Sequence, residues 1–101
     1  MTGYELRVIP GCPNTGPAAE LFREALAAEG IAADRLTIRV VTSEDDATAL
    51  AFHGSPTFTA GGRDLFPAPS APALSCRVYL TSHGLAGLPD PAALRAALAA
   101  T

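Results

Sequence analysis

The sequence predicts one small α/β domain, residues 1–101, with the element order β-α-β-α-β-β-α. Two patterns carry this prediction: apolar, β-prone runs alternate with helical patterns, and a Gly-Gly turn joins two short strand-like segments. The hydrophobic content of 49% and the charged content of 17% are typical of a globular chain. At 101 residues, the chain can bury a single core of modest size.

The first half of the chain alternates strand and helix signals. An apolar run that ends at Pro10-Gly11 predicts a strand over about residues 4–9. From Pro13 to Gly30 the pattern becomes helical, and one apolar face contains Ala18, Leu21, Phe22, Ala25 and Leu26. Residues 36–41 predict a second strand, and their density of Leu, Ile and Val favours burial on both faces.

A second helix and a hairpin are predicted next. Ser43, followed by three acidic residues, is typical of an N-cap and first turn, and this short helix is expected to run through Phe52. Residues 57–60 and 63–66 are two short strand-like segments joined by Gly61-Gly62, which predicts a β-hairpin with a primed turn.

The last third of the chain begins with an irregular loop. Prolines at positions 67, 69 and 72 predict that loop, and residues 77–80 fit either a short strand or a helical turn. Asp90-Pro91 predicts the N-cap and first turn of a closing helix.

Charge and composition exclude several classes of function. The net charge is −3, there is no Lys, and the seven Arg are scattered, so we expect no nucleic-acid partner. The sequence shows neither a secretory leader pattern nor an apolar run of the roughly 20 residues that span a bilayer, so we expect a soluble, cytoplasmic protein without a membrane partner. A structural disulfide is disfavoured in that compartment, and we expect no metal or cofactor.

A thiol stands where the first predicted strand gives way to the first helix. Cys12-Pro13-Asn14-Thr15 follows the strand directly. Amide hydrogens at a helix N-terminus favour the thiolate, which is the nucleophilic form, and the Thr15 hydroxyl is placed to donate to the sulfur. Further along, Ser55-Pro56 puts an X-Pro turn before the third strand.

Taken in this order, these features resemble the thioredoxin-like superfamily over nearly the whole chain. Cys12-Pro13-Asn14-Thr15 is similar to the family's Cys-Pro-X-Cys motif with Thr in the last place, as in monothiol members. Ser55-Pro56 resembles its cis-proline turn, and the Gly61-Gly62 hairpin resembles the antiparallel pair that follows. The resemblance implies a three-layer sandwich with a mixed sheet and a thiol-disulfide oxidoreductase. Pro13, Ser55 and Pro56 would bind substrate, and Ser55-Pro56 would present backbone groups to an extended peptide.

The Cys12-Pro13-Asn14-Thr15 motif does not identify the second thiol. Thr15 cannot resolve a mixed disulfide, so that thiol is either Cys76 or external, and the substrate would be a disulfide-containing protein or a small thiol. The predicted hairpin returns residues 67–75 to the Cys12 edge of the sheet, from which we hypothesise a Cys12–Cys76 pair. Burial of Cys76 as an apolar filler is an equally open interpretation.

Two alternative functions remain. Cys12 and Cys76 at one edge could form a two-thiolate site for mercury or copper(I). Residues 74–79 are similar to short bacterial proteins of thioredoxin-like fold, some of them labelled alkylmercury lyases. A binding module with inert thiols is the third possibility. His53 is interpreted as a surface residue at the end of the second helix in preference to a neighbour of the thiolate.

Overall fold

The computed structural model describes residues 3–67 and 71–101. In chain order their elements are β1 (Tyr4–Val8), α1 (Thr15–Ala28), a 3₁₀ turn (Ala33–Arg35), β2 (Leu36–Val40), α2 (Glu44–Ala49), β3 (Thr57–Ala60), β4 (Arg63–Asp64), β5 (Tyr79–Thr81), β6 (Gly84–Ala86) and α3 (Pro91–Ala99). None of these helices is long and apolar enough to cross a membrane.

Four of the strands form one mixed sheet with the order β2-β1-β3-β4. Strand β1 runs parallel to β2 and antiparallel to β3, so that Leu6 lies opposite both Ile38 and Phe58. Strands β3 and β4 are antiparallel, with Thr59 opposite Asp64. The predicted α/β class with a mixed sheet is therefore confirmed.

Helices α1 and α3 pack against one face of this sheet, and a residue at the end of α2 contacts the other. The larger core cluster joins Leu6 and Val8 to α1 and α3, and its central ring, Phe58, lies 5.2 Å from the Phe22 ring between centroids. Neighbouring strand residues face opposite sides, and Arg7 accordingly reaches the other face, where its guanidinium donates to the Leu50 carbonyl at the end of α2 (3.1 Å). A smaller cluster of Val41, Ala47 and Phe52 forms there.

Local capping and turn signals are confirmed, although several elements end earlier than expected, above all α2 and β4. The Asp46 amide donates to the Ser43 hydroxyl (3.1 Å), so Ser43 is the N-cap of α2. This helix ends at Ala49 and not at Phe52, because Ala51 takes a φ of 52°. The Gly61-Gly62 turn has positive φ at both residues, as a primed hairpin requires.

The prediction that β2 is buried on both faces is wrong. Strand β2 is an edge of the sheet, and all of its residues but Leu36 are exposed, with Ile38 at 39%. The apolar density of residues 36–41 reflects one half-covered face of an edge strand, which composition alone does not distinguish from a central strand.

Residues 79–86 form a hairpin that the predicted element order lacks; of the two interpretations left open for residues 77–80, the strand is confirmed for Tyr79–Thr81. Strands β5 and β6 form a separate two-stranded sheet in which Leu80 lies opposite Leu85. The Thr81 hydroxyl donates to the Gly84 carbonyl (2.6 Å) and accepts from the His83 amide (3.1 Å), which closes the turn. The α3 prediction is confirmed, with Pro91 in the first turn after the N-cap Asp90.

Candidate thiol site around Ser55-Pro56

Cys12 lies in a tight turn at the end of β1. Its amide donates to the Ile9 carbonyl (3.2 Å). Gly11, which follows Pro10 in this turn, has a φ of 73°, a positive value that glycine adopts readily. Cys12 is buried, at 8% exposure, within the cluster that packs against α1 and α3.

The first helix begins later than expected. It starts at Thr15 after the N-cap Asn14, so Cys12 lies two residues before the cap and Pro13 belongs to the turn. The turn is closed by the Thr15 amide, which donates to the Cys12 carbonyl (3.3 Å). Among the described residues, no hydrogen bond joins the Thr15 hydroxyl to the Cys12 sulfur. Cys12 is therefore not at the N-terminus of α1 itself, as the sequence suggested, but in the turn that precedes it.

Ser55 connects the third strand to the Cys12 turn. The peptide bond between Ser55 and Pro56 is cis, as the resemblance led us to expect. Ser55 is buried, and its hydroxyl accepts from the Ile9 amide (3.1 Å), the residue at which the Cys12 turn begins. The Ser55 side chain thus fixes the end of β1 beside the start of β3.

The backbone of Ser55 is bonded to the segment around Cys76. The Ser55 amide donates to the Ser75 carbonyl (2.7 Å), and the Arg77 amide donates to the Ser55 carbonyl (3.0 Å). Cys76 consequently pairs with Ser55 in a parallel bridge. The sequence suggested that Ser55 presents these backbone groups to a peptide, but the chain itself uses them.

The two cysteines differ in environment. Neither is part of a disulfide; Cys12 is buried and Cys76 is exposed. Burial of Cys76 as a core filler is therefore wrong. The two residues lie on segments that flank Ser55, and the structure contains no bond between their sulfurs.

Arg77 anchors the Cys76 segment from within the protein. Its guanidinium donates to the Asp64 carboxylate (2.8 Å), to the Phe66 carbonyl and to the Thr57 hydroxyl (3.4 Å). It also lies 4.7 Å above the centre of the Tyr79 ring. From the sequence, Arg77 was counted only among the scattered charges.

A cleft of about 660 Å³ opens beside Cys76. Its lining is predominantly apolar and includes Phe66, Val78, Leu80 and Pro89. His53 also lines the cleft. Its Nδ1 atom is buried and has no hydrogen-bond partner among the described residues. The interpretation of His53 as a simple surface residue is therefore incomplete.

Tyr79 ties the β5 strand to Pro56. Its hydroxyl donates to the Pro56 carbonyl, and the ring packs edge-on against Phe58 and Phe66 at 6.0 and 5.3 Å between centroids. Burial raises the pKa of the Tyr79 hydroxyl above its ordinary value, and the neighbouring Arg77 opposes this shift in part.

We expect the free energy of unfolding to fall as the pH rises above about 10, the ordinary pKa of tyrosine. The unfolded chain releases the Tyr79 proton first, so this group stabilises the fold below that pH and the contribution is lost above it. Urea unfolding of the protein at several alkaline pH values measures the slope. Tyr79→Phe should lose about 1 kcal/mol at neutral pH and show a shallower alkaline decline. An equally steep decline in this variant would contradict the assignment.

Within residues 3–67 and 71–101, no three His, Cys, Asp or Glu side chains are grouped so that they could hold a metal ion. Comparisons of the chain with protein-family models, with curated proteins and with solved structures find no match.

Proposed function

We propose that the protein is a thioredoxin-like thiol-disulfide oxidoreductase that works through Cys12 and Cys76. The observation that carries this proposal is the double role of Ser55. Its hydroxyl bonds to the residue that begins the Cys12 turn, while its backbone pairs with Cys76. The mixed sheet and the cis Ser55-Pro56 bond support the fold on which the proposal depends.

Exposure favours one order of events. The sequence pattern favoured Cys12 as the attacking thiol, but Cys76 is the thiol exposed to solvent. The Cys76 thiolate, its proton lost to water, attacks one sulfur of a substrate disulfide; a mixed disulfide forms and the other substrate sulfur leaves as a thiolate. Cys12 then attacks the Cys76 sulfur, which releases the second substrate thiol and leaves a Cys12–Cys76 disulfide. The substrate is reduced by two electrons and the protein is oxidised by two.

The remaining site residues position the two thiols. Pro13 and Thr15 shape the turn that carries Cys12, with the Thr15 amide on the Cys12 carbonyl (3.3 Å). Ser55 and Pro56 keep the two thiol-bearing segments on either side of one buried turn. Because Cys12 is buried, its step requires a local opening of the Cys12 turn.

Disulfide mapping after oxidation with a small-molecule disulfide tests the proposal. We expect an intramolecular Cys12–Cys76 disulfide in the wild-type protein. The Cys12→Ser variant should accumulate a mixed disulfide at Cys76. In Cys76→Ser, we expect Cys12 to react about tenfold more slowly than Cys76 does in the wild type, because thiol reactivity follows access.

The variants also provide the controls. Cys76→Ser should unfold with a midpoint close to that of the reduced wild type, because Cys76 is exposed. Cys12→Ser puts a hydroxyl into the core cluster and should lose about 1–3 kcal/mol while remaining folded, which circular dichroism checks. If no Cys12–Cys76 disulfide forms in the wild type after prolonged treatment with excess small-molecule disulfide, the protein is not a two-thiol oxidoreductase. If mercury(II) binds with one-to-one stoichiometry and protects both thiols while no disulfide forms, the two-thiolate metal site replaces the proposal.

A further inference from the structure

We infer that the cleft beside Cys76 is the substrate site and that it takes small, uncharged, apolar disulfides in preference to polypeptides. This inference rests on the proposed function and names its class of substrate. It depends on three features of the described residues: the bonding of Ser55, the lining of the cleft and the charge around Cys76.

The bonding of Ser55 argues against an extended peptide. A peptide that adds to a sheet edge needs unpaired backbone N–H and C=O groups. At Ser55 both groups are bonded to the chain's own Ser75 and Arg77, at 2.7 and 3.0 Å. A peptide would have to displace the segment that carries the exposed thiol.

The size and the lining of the cleft suit a small molecule. Its volume of about 660 Å³ lies within the range of ligand-binding pockets, which are mostly apolar with a few polar groups. Phe66, Tyr79 and Pro89 form apolar walls, and Cys76 and His53 are among the polar groups.

Val78 and Leu80 also line the cleft, and both are largely exposed, with Leu80 at 83%. Exposed apolar side chains beside a cleft mark a binding site, because an apolar ligand that covers them removes apolar surface from water.

The charge around Cys76 argues against an anionic disulfide. Arg77 is the arginine that lines the cleft, and its guanidinium is paired with the Asp64 carboxylate at 2.8 Å. Both side chains are mostly buried, at 8% and 14% exposure. A ligand carboxylate near Arg77 would therefore meet a neutralised pair and would lose its hydration without gaining an ionic partner from that arginine.

Kinetics with matched disulfides test this inference. The probes are 2,2′-dithiodipyridine, which is uncharged and aromatic, bis(2-hydroxyethyl) disulfide, which is uncharged and polar, and oxidised glutathione, which is charged. Each rate of thiol release is divided by the rate with the same chain unfolded in urea, which removes intrinsic reactivity. We expect the aromatic probe to show saturation and a normalised rate about tenfold above the other two, as burial of one aromatic ring in an apolar site would give.

Leu80 and Leu85 form a matched pair of variants. They are opposite each other in the hairpin and both strongly exposed, at 83% and 71%, but only Leu80 lines the cleft. Leu80→Ser should lower the aromatic preference several-fold, while Leu85→Ser should leave it unchanged. Equal normalised rates for all three probes, or equal effects of the two substitutions, would overturn the inference.

A non-reactive ligand separates this inference from the proposed function. Di-2-pyridyl sulfide has the shape of the aromatic probe without its disulfide, and its binding to Cys76→Ser is followed by NMR shifts of the cleft residues. Binding there, without Cys12–Cys76 disulfide formation in the wild type, would sustain the cleft and refute the oxidoreductase. The disulfide forming while the sulfide fails to bind would refute the cleft alone.

Discussion

Arg77→Met is expected to lower the free energy of unfolding by about 3–5 kcal/mol, because it leaves the Asp64 carboxylate buried without its cation. The Phe66 carbonyl and the Thr57 hydroxyl lose a donor in the same substitution. Met keeps most of the side-chain volume, so the loss reports charge and hydrogen bonding and not a cavity. Chemical denaturation followed by circular dichroism measures the change.

Two variants make this prediction specific. In the double variant Asp64→Asn/Arg77→Met, most of the lost stability should return, since no buried charge is left unpaired. Arg95→Met is the surface control: Arg95 is 53% exposed and pairs with Glu29 at 3.3 Å, and such a pair contributes about 0–1 kcal/mol. If Arg77→Met costs no more than Arg95→Met, the buried pair does not anchor the Cys76 segment.

Gly54→Ala is expected to cost about 3 kcal/mol, because a Cβ at this position meets both a forbidden backbone geometry and a close neighbour. Gly54 has a φ of 116°, and an added Cβ would lie 2.9 Å from the Arg77 Cβ and 3.3 Å from the Arg77 Cα. Neither neighbour is the flexible end of a side chain, so the Cys76 segment would have to move. Chemical denaturation measures the lost stability, and alkylation of Cys76 in the folded variant should be faster than in the wild type because its segment loosens.

Gly16→Ala is the matched control for this substitution. Gly16 lies in α1 with nothing within 4 Å of an added Cβ, so the substitution should raise stability by about 0.5–1 kcal/mol. A Gly54→Ala variant as stable as the wild type would show that residues 54 and 77 do not approach as closely as described.

Much of the fold could be predicted because its signals are local. The apolar face of α1, the Ser43 cap and the Gly61-Gly62 turn are each encoded within a few neighbouring residues, and each is present in the structure. The edge position of β2 was missed because it depends on what lies beyond the strand and not on the strand's own composition.

The candidate site was predictable only in part. Cys12 and Ser55-Pro56 stand at element boundaries, which periodicity reveals. The pairing of Ser55 with Cys76 and the burial of Arg77 join residues about twenty positions apart, and no repeat or turn in the sequence specifies that register. An arginine within an otherwise uncharged run, 74–80, was the available hint, since a buried cation demands a partner.

Because β4 is short, a second segment of the chain is needed to protect the edge of the sheet beside β3. Two residues of β4 protect only the far end of β3, and the Cys76 segment shields the near end, next to Ser55. A change that breaks the two hydrogen bonds of Ser55 to Ser75 and Arg77 would therefore leave the Ser55 N–H and C=O groups unpaired at the edge of the sheet.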